Sequence, residues 1–208
     1  MKHAALVELT RLRRGLPVQA VLVHGLFSNA AFWLPGLARL QDVGLALVSI
    51  DYAAVLDSGL PLDALARQVD TLVGPGPAHL VTHSFGGVAG LHLGHTFGHT
   101  LARPWLSRTF ICPTFAAATI DSEAFGAAIA QRTGIDAGSA KPLIAQAIAR
   151  KAGALPDPRW SAADLVCLPD DDPYFAYAAP PGVACQRYAG GHFDIDAPLA
   201  ALAARLAR

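Results

Sequence analysis

Leu80–Val81–Thr82–His83–Ser84–Phe85–Gly86–Gly87 decides how this chain is read. It begins as a short apolar strand, turns sharply with Ser84 at the apex, and enters a helix at Phe85–Gly86–Gly87 that runs towards His99. So tight a turn favours small residues two before and two after the serine, the spacing G-x-S-x-G. Gly86 fills the second place and Gly87 follows it, whereas Thr82 stands in the first. A threonine fits there if its surroundings leave room for one extra branch. Taken alone, the stretch also suits a glycine-rich turn in front of an ordinary helix.

Three further stretches change that balance. Val18–Val23 is an apolar strand that ends in His24–Gly25–Leu26–Phe27. Val166–Cys167–Leu168 leads into Pro169–Asp170–Asp171–Asp172–Pro173, and Arg187–Tyr188–Ala189–Gly190–Gly191–His192–Phe193 lies nearer the end. A serine hydroxyl is a weak nucleophile at neutral pH and needs a base within hydrogen-bond reach. Histidine alone takes and returns a proton near pH 7 without a large pKa shift. His192 suits this role because Gly190–Gly191 lets its loop bend back over the serine.

The order HG-x, serine elbow, strand-end Asp and GH resembles the α/β-hydrolase family, whose triad runs Ser, Asp or Glu, His along the chain. The resemblance covers about residues 18 to 208. It implies an α/β fold with a mostly parallel central sheet, helices on both faces and a small helical cap. It also implies a triad of Ser84, Asp172 and His192. Asp172 is chosen among the three consecutive aspartates by the family's spacing after its seventh strand, with Asp171 next. Two backbone N–H donors must meet the tetrahedral oxyanion. Phe85 should supply one, directly after the nucleophile. The loop after the first strand should supply the other, from Leu26 with Phe27 as the alternative, because Gly25 lets the backbone approach. His24 reads as structural, holding that loop.

Composition narrows the field. At 208 residues and 53% hydrophobic, the chain supports one sizeable core and is short for two domains. Its formal net charge is zero and 15% of its residues are charged, which speaks against nucleic-acid binding. Mean hydropathy is +0.37, yet no uninterrupted apolar run approaches the length of a membrane span. Glu8 and Arg11 cut short the apolar run that a signal peptide would need. Cys112, Cys167 and Cys185 sit in or beside expected strands without disulfide or metal spacing, which suggests free thiols and a cytoplasmic setting.

Taken in order, residues 1–16 are ambiguous between helix and outer strand. Ser28 or Asn29 caps a helix to about Leu40, with Phe32, Leu34, Leu37 and Leu40 inward and a bend at Pro35–Gly36. Leu45–Ile50 is a strand, Leu62–Val73 an amphipathic helix, and Gly74–Pro77 its stop. Further strands are expected at His79–Thr82, Thr109–Pro113, Leu165–Leu168 and Val183–Tyr188, with a closing helix at Pro198–Arg208. Alternating strands and helices mean a parallel sheet covered on both faces. Between Thr114 and Trp160 the alternation pauses for two helices, Asp121–Gln131 and Ser139–Lys151. In a single domain of residues 1–208, this insertion at about 114–160 lies where the family places its cap; ordinary sheet-covering helices are the competing reading.

Phe27, Phe115, Phe125, Ile129 and Phe193 are the expected substrate contacts. No Arg or Lys adjoins Ser84, Asp172, His192 or the His24–Gly25 turn in sequence to pair with a carboxylate or phosphate, so a neutral, small to medium acyl ester, thioester or lactone is expected, with water as co-substrate. His92, His95 and His99 share a helix face at i, i+3 and i+7, but no Asp, Glu or Cys joins them; no metal and no cofactor is expected. His79 and His83 flank the nucleophile strand and could tune the site. The same fold also hosts lyases and cofactor-free oxygenases, and catalytically silent binding proteins. The silent ones usually lose a triad member, and this chain keeps all three. Oligomeric state is unreadable from the sequence.

Overall fold

The computed structural model describes residues 8–13, 16, 18–51, 69, 71–73, 76–100, 105–134, 136, 138–139, 142, 144, 155 and 159–207. Most of the expected helices Leu62–Val73 and Ser139–Lys151, the Gly74–Pro75 part of the stop, and the side chains of His95 and His99 lie outside the described residues.

Among the described residues a seven-stranded sheet forms the centre. Its strands are β1 (Glu8–Arg13), β2 (Gln19–Val23), β3 (Ala46–Asp51), β4 (Ala78–His83), β5 (Trp105–Ile111), β7 (Leu165–Pro169) and β9 (Ala184–Tyr188), in spatial order β1-β3-β2-β4-β5-β7-β9. All neighbours are parallel except β1, which runs antiparallel to β3. Within the ambiguous N-terminal stretch, Glu8–Arg13 is thus an outer strand.

Burial follows the two-residue period of a pleated strand. Val21 and Val23 join Val48, Ile50 and Leu80 on one face, under α1 (Gly86–Thr100) through Val88, Ala89 and Leu93. Ala20 and Leu22 join Leu47, Val81 and Ile111 on the other, under α3 (Asp196–Leu206) through Leu199 and Leu202. The continuous apolar run of β2 is what a strand covered on both sides requires. Midway along β5, buried Arg108 donates from Nε to Asp164 Oδ1 at 3.1 Å and from Nη2 to Asp164 Oδ2. The Ser161 N–H also donates to that carboxylate, at 2.8 Å, so the buried pair has its hydrogen bonds made.

Two expectations need correction. The segment Ala30–Val43 forms 3-10 turns where an α-helix was expected, although Asn29 caps it by accepting from the Ala31 N–H at 2.9 Å. Pro35 inside it can donate no helix hydrogen bond and crowds the preceding turn. Winding at three residues per turn changes the inward face: Trp33 is fully buried and Leu34 is 56% exposed. Second, β6 (Ala117–Ile120) and β8 (Phe175–Tyr177) pair antiparallel as a separate ribbon that the sequence reading missed. Next to it, α2 (Ser122–Thr133) starts on an Asp121 cap that accepts from Glu123 and Ala124. The Asp121 N–H donates to the Tyr174 carbonyl at 2.8 Å and ties α2 to the loop before β8. Among the described residues no helix is long and apolar enough to cross a membrane.

At two glycines α1 meets the sheet. A Cβ on Gly86 would stand 2.4 Å from the Val23 carbonyl oxygen and 2.5 Å from that of His24. A Cβ on Gly90 would stand 2.6 Å from Cγ2 of Thr82, so Gly90 leaves the room that Thr82's branch takes up. This explains how a threonine occupies the first small place of the elbow. Gly90→Ala should therefore cost about 1–3 kcal/mol by urea unfolding. In a Thr82→Ser background, which removes the opposing methyl, most of that cost should vanish. Equal losses in both backgrounds would show that the two residues do not share this space.

Candidate active site

The parallel strands bring their carboxyl ends to one edge. His24 follows β2, Ser84 follows β4, Asp170–Asp172 follow β7 and His192 lies four residues beyond β9. The crossover from β2 runs outward to β3, and the chain then returns to β4 on β2's other side, so β2 and β4 flank a topological switch point. Open α/β sheets bind ligands at such a crevice. Ser84 sits there with φ of 54°, in the left-handed region that a non-glycine residue adopts only when its surroundings hold it. Its N–H donates to the Ile111 carbonyl at 2.9 Å, and its own carbonyl accepts from Gly87 and Thr114.

The structure brings Ser84, His192 and Asp172 into one line. The Ser84 hydroxyl lies 3.0 Å from His192 Nε2, and His192 Nδ1 lies 2.8 Å from Asp172 Oδ2. All three are nearly inaccessible: Ser84 is 3% exposed, and the other two side chains 1% each. A carboxylate at Nδ1 holds the proton there and leaves Nε2 free to accept from serine. Asp172 Oδ1 accepts from the Tyr174 and Phe175 N–H groups at 2.9 and 3.1 Å, and Oδ2 also accepts from the Tyr177 hydroxyl at 2.9 Å. Asp171 is exposed, and Asp170 pairs with exposed Arg187 at 3.4 Å. Only Asp172 of the three meets His192.

Burial works to raise the Asp172 carboxyl, but the hydrogen bond and charge of His192, with Tyr174 and Tyr177, outweigh it and hold it below the ordinary value. Burial pushes His192 below the usual imidazole pKa, and Asp172 only partly restores it. Its ring stacks on Phe175 at 4.5 Å. His83 donates from Nε2 to the His192 carbonyl at 2.7 Å, and burial, then the neighbouring His192, keep it neutral. His24 Nδ1 donates to the Gly25 carbonyl at 2.7 Å, holding the loop as expected.

A cleft of about 360 Å³ opens above Ser84. Leu26, Phe27, Phe125, Ile129 and Phe193 line it with Phe32, His83 and His192. Phe115 does not: its ring packs edge-on to Phe110 at 5.3 Å and against Trp160. Phe85 is buried at the turn, next to Ser84. Arg132 also lines the cleft, which corrects the expectation that no cation borders it. Tyr177 and Phe175 were likewise missed, because they lie on a three-residue strand with no sequence pattern of its own. Among the described residues no group of three or more His, Cys, Asp or Glu could hold a metal ion, and His92 is half-buried in α1.

Residues 20–208 match the model of the alpha/beta hydrolase family. The chain belongs to that family. No protein of curated function matches it. Among solved structures, the NocB thioesterase domain, in covalent complex with a fluorophosphonate nocardicin G analog, aligns at a TM-score of 0.68 and 19% identity over 95% of this chain and 98% of that one. The type II thioesterase BorB of the borrelidin cluster aligns at 0.64 and 19% over 99% and 98%. Carboxylesterase CesB of Bacillus subtilis aligns at 0.59 and 13% over 97% and 86%. At these identities the likeness is one of fold.

The geometry makes a titration prediction. By imidazole NMR, His192 should titrate below its ordinary pKa of about 6.5. Asp172→Asn removes the negative charge that favours imidazolium, so the pKa should fall further, while Asp171→Asn should leave it in place. A larger shift in Asp171→Asn would move the carboxylate one residue back.

Proposed function

We propose that this chain is a serine hydrolase that cleaves small to medium esters, thioesters or lactones through an acyl-enzyme on Ser84. The observation that carries the reading is the unbroken line from the Ser84 hydroxyl through His192 to Asp172, at 3.0 and 2.8 Å. Family membership and a fold shared with thioesterases and a carboxylesterase support it.

In this mechanism Ser84 Oγ attacks the acyl carbon while His192 Nε2 takes its proton, and Asp172 stabilises the imidazolium. The N–H groups of Phe85 and Leu26 hold the oxyanion, with Phe27, in the same turn, the alternative second donor. Collapse expels the alcohol or thiol, which receives its proton from His192. Water, deprotonated by His192, then attacks the acyl-enzyme and frees the acid and Ser84. No cofactor takes part. A lyase or cofactor-free oxygenase on this fold would accumulate no acyl-enzyme, and the intact serine, base and acid speak against a silent binding protein.

We read the chain as one domain with a small cap over residues 114–160, whose helix α2 walls the cleft with Phe125 and Ile129. Phe27 and Phe193 complete an apolar lining, and Phe115 drops from the contact set. Each buried methylene adds about 0.8 kcal/mol until the cleft is full. The aliphatic part of the acyl group is therefore short to medium. A reducing, cytoplasmic setting suits the buried thiols; burial pushes Cys167 up to about 12.

Ser84→Ala and His192→Ala should each lower turnover of p-nitrophenyl butyrate by about three to six orders of magnitude with the fold intact by circular dichroism. Retention of most activity by either variant would sink the assignment. Across p-nitrophenyl esters from acetate to palmitate, kcat/KM should rise and then fall. A maximum at palmitate would show that the cleft has been misjudged.

A further inference from the structure

The cleft above Ser84 is not lined by hydrocarbon alone. On α2, Phe125, Ile129 and Arg132 follow at i, i+4 and i+7, one face of a helix. The face that walls the cleft with two apolar side chains therefore carries a guanidinium one turn further on. Arg132 Cζ lies 4.2 Å from the Phe193 ring centroid, and that ring lies 5.0 Å from the His192 imidazole. One aromatic ring, that of Phe193, touches both the cation and the base. Its charge works against protonation of both His192 and His83.

No carboxylate lines the cleft among the described residues. The nearby acids are engaged elsewhere. Asp172 receives His192 and Tyr177, Asp121 caps the far end of α2, Asp136 accepts from the Ser139 N–H, and Asp194 accepts from the Gly191 N–H. Ser28, Asn29 and Thr133 add polar groups to the lining. A cation beside a base that must become positive opposes catalysis on a neutral substrate. An anion bound to that cation removes the opposition. Guanidinium is also the side chain whose planar fork matches carboxylate and phosphate oxygens.

We infer that Arg132 is the anion-recognition point of this cleft, and that preferred substrates carry a carboxylate or phosphate that pairs with it while their apolar part lies along Phe125, Ile129 and Phe193. This rests on Ser84 as nucleophile and replaces the expectation of neutral substrates. Arg132 thereby sets specificity and takes no part in bond making.

Two ester pairs test it with a carboxylate as the probe. Mono-p-nitrophenyl adipate against p-nitrophenyl hexanoate places the anion on the acyl side. The butyrate ester of 4-hydroxybenzoate against that of methyl 4-hydroxybenzoate places it on the leaving group. In the pair that matches the natural arrangement, Arg132→Met should lower the ratio of kcat/KM, anionic to neutral, by about 10- to 100-fold, and Arg132→Lys should restore part of it. Calorimetric binding of monomethyl adipate and of 4-(butyryloxy)benzoate to the Ser84→Ala protein needs no turnover, and Arg132→Met should weaken the matching ligand by a similar factor. Ratios and binding that ignore Arg132→Met in both pairs would overturn the proposal. Binding that depends on Arg132 in a protein that cleaves none of the four esters would uphold the anion site and refute the nucleophile.

Discussion

The site depends on how closely α1 can begin against the end of β2. Only a residue without a side chain allows the helix backbone to lie on the Val23 and His24 carbonyls, and Gly86 is that residue. Because the chain must leave β4 and enter the helix within so short a span, Ser84 takes a positive φ that costs about 1–3 kcal/mol. Hydrogen bonds from Ser84 to Ile111 and from Thr114 to Ser84 fix the turn from the neighbouring strand. The serine hydroxyl is thereby held at the carboxyl edge of the sheet, where the loops after β2, β7 and β9 converge.

Asp172 does for His192 what Gly86 does for Ser84. One carboxylate receives four donors: the Tyr174 and Phe175 N–H groups at the entry to β8, the Tyr177 hydroxyl and His192. Through the first two it turns the chain so that Phe175 comes to lie flat on the imidazole. Through the last it fixes the tautomer. His83 holds the backbone of the same histidine from below. His192 is thus positioned on three sides and buried enough to stay neutral near pH 7, the state that the proposed role as base requires.

The inner strands of the central sheet were legible because they are buried on both faces and read as continuous apolar runs, as in Ala20–Val23. The serine and histidine were legible from glycine placement. Asp172 was legible only through the family's spacing, since three adjacent aspartates look alike until the chain folds Asp170 and Asp171 outward. Phe115 was misplaced because its ring turns onto Phe110 and Trp160, contacts that no local pattern announces. Arg132 was overlooked because charge was sought beside the motif residues in sequence, whereas the cleft is walled by a helix face. Extending the Phe125–Ile129 spacing by three residues reaches Arg132. The 3-10 winding at Ala30–Val43 and the β6–β8 ribbon left no periodic signature, because Pro35 and contacts made far along the chain decide them.

Covalent trapping tests the central claim most directly. A fluorophosphonate phosphonylates only a serine whose hydroxyl is activated by a base and whose developing oxyanion is held. Intact mass followed by peptide mapping should show a single adduct on Ser84 in the wild-type protein. In His192→Ala and Asp172→Asn the same adduct should form orders of magnitude more slowly. No adduct, an adduct on another residue, or labelling of His192→Ala at the wild-type rate would contradict the account.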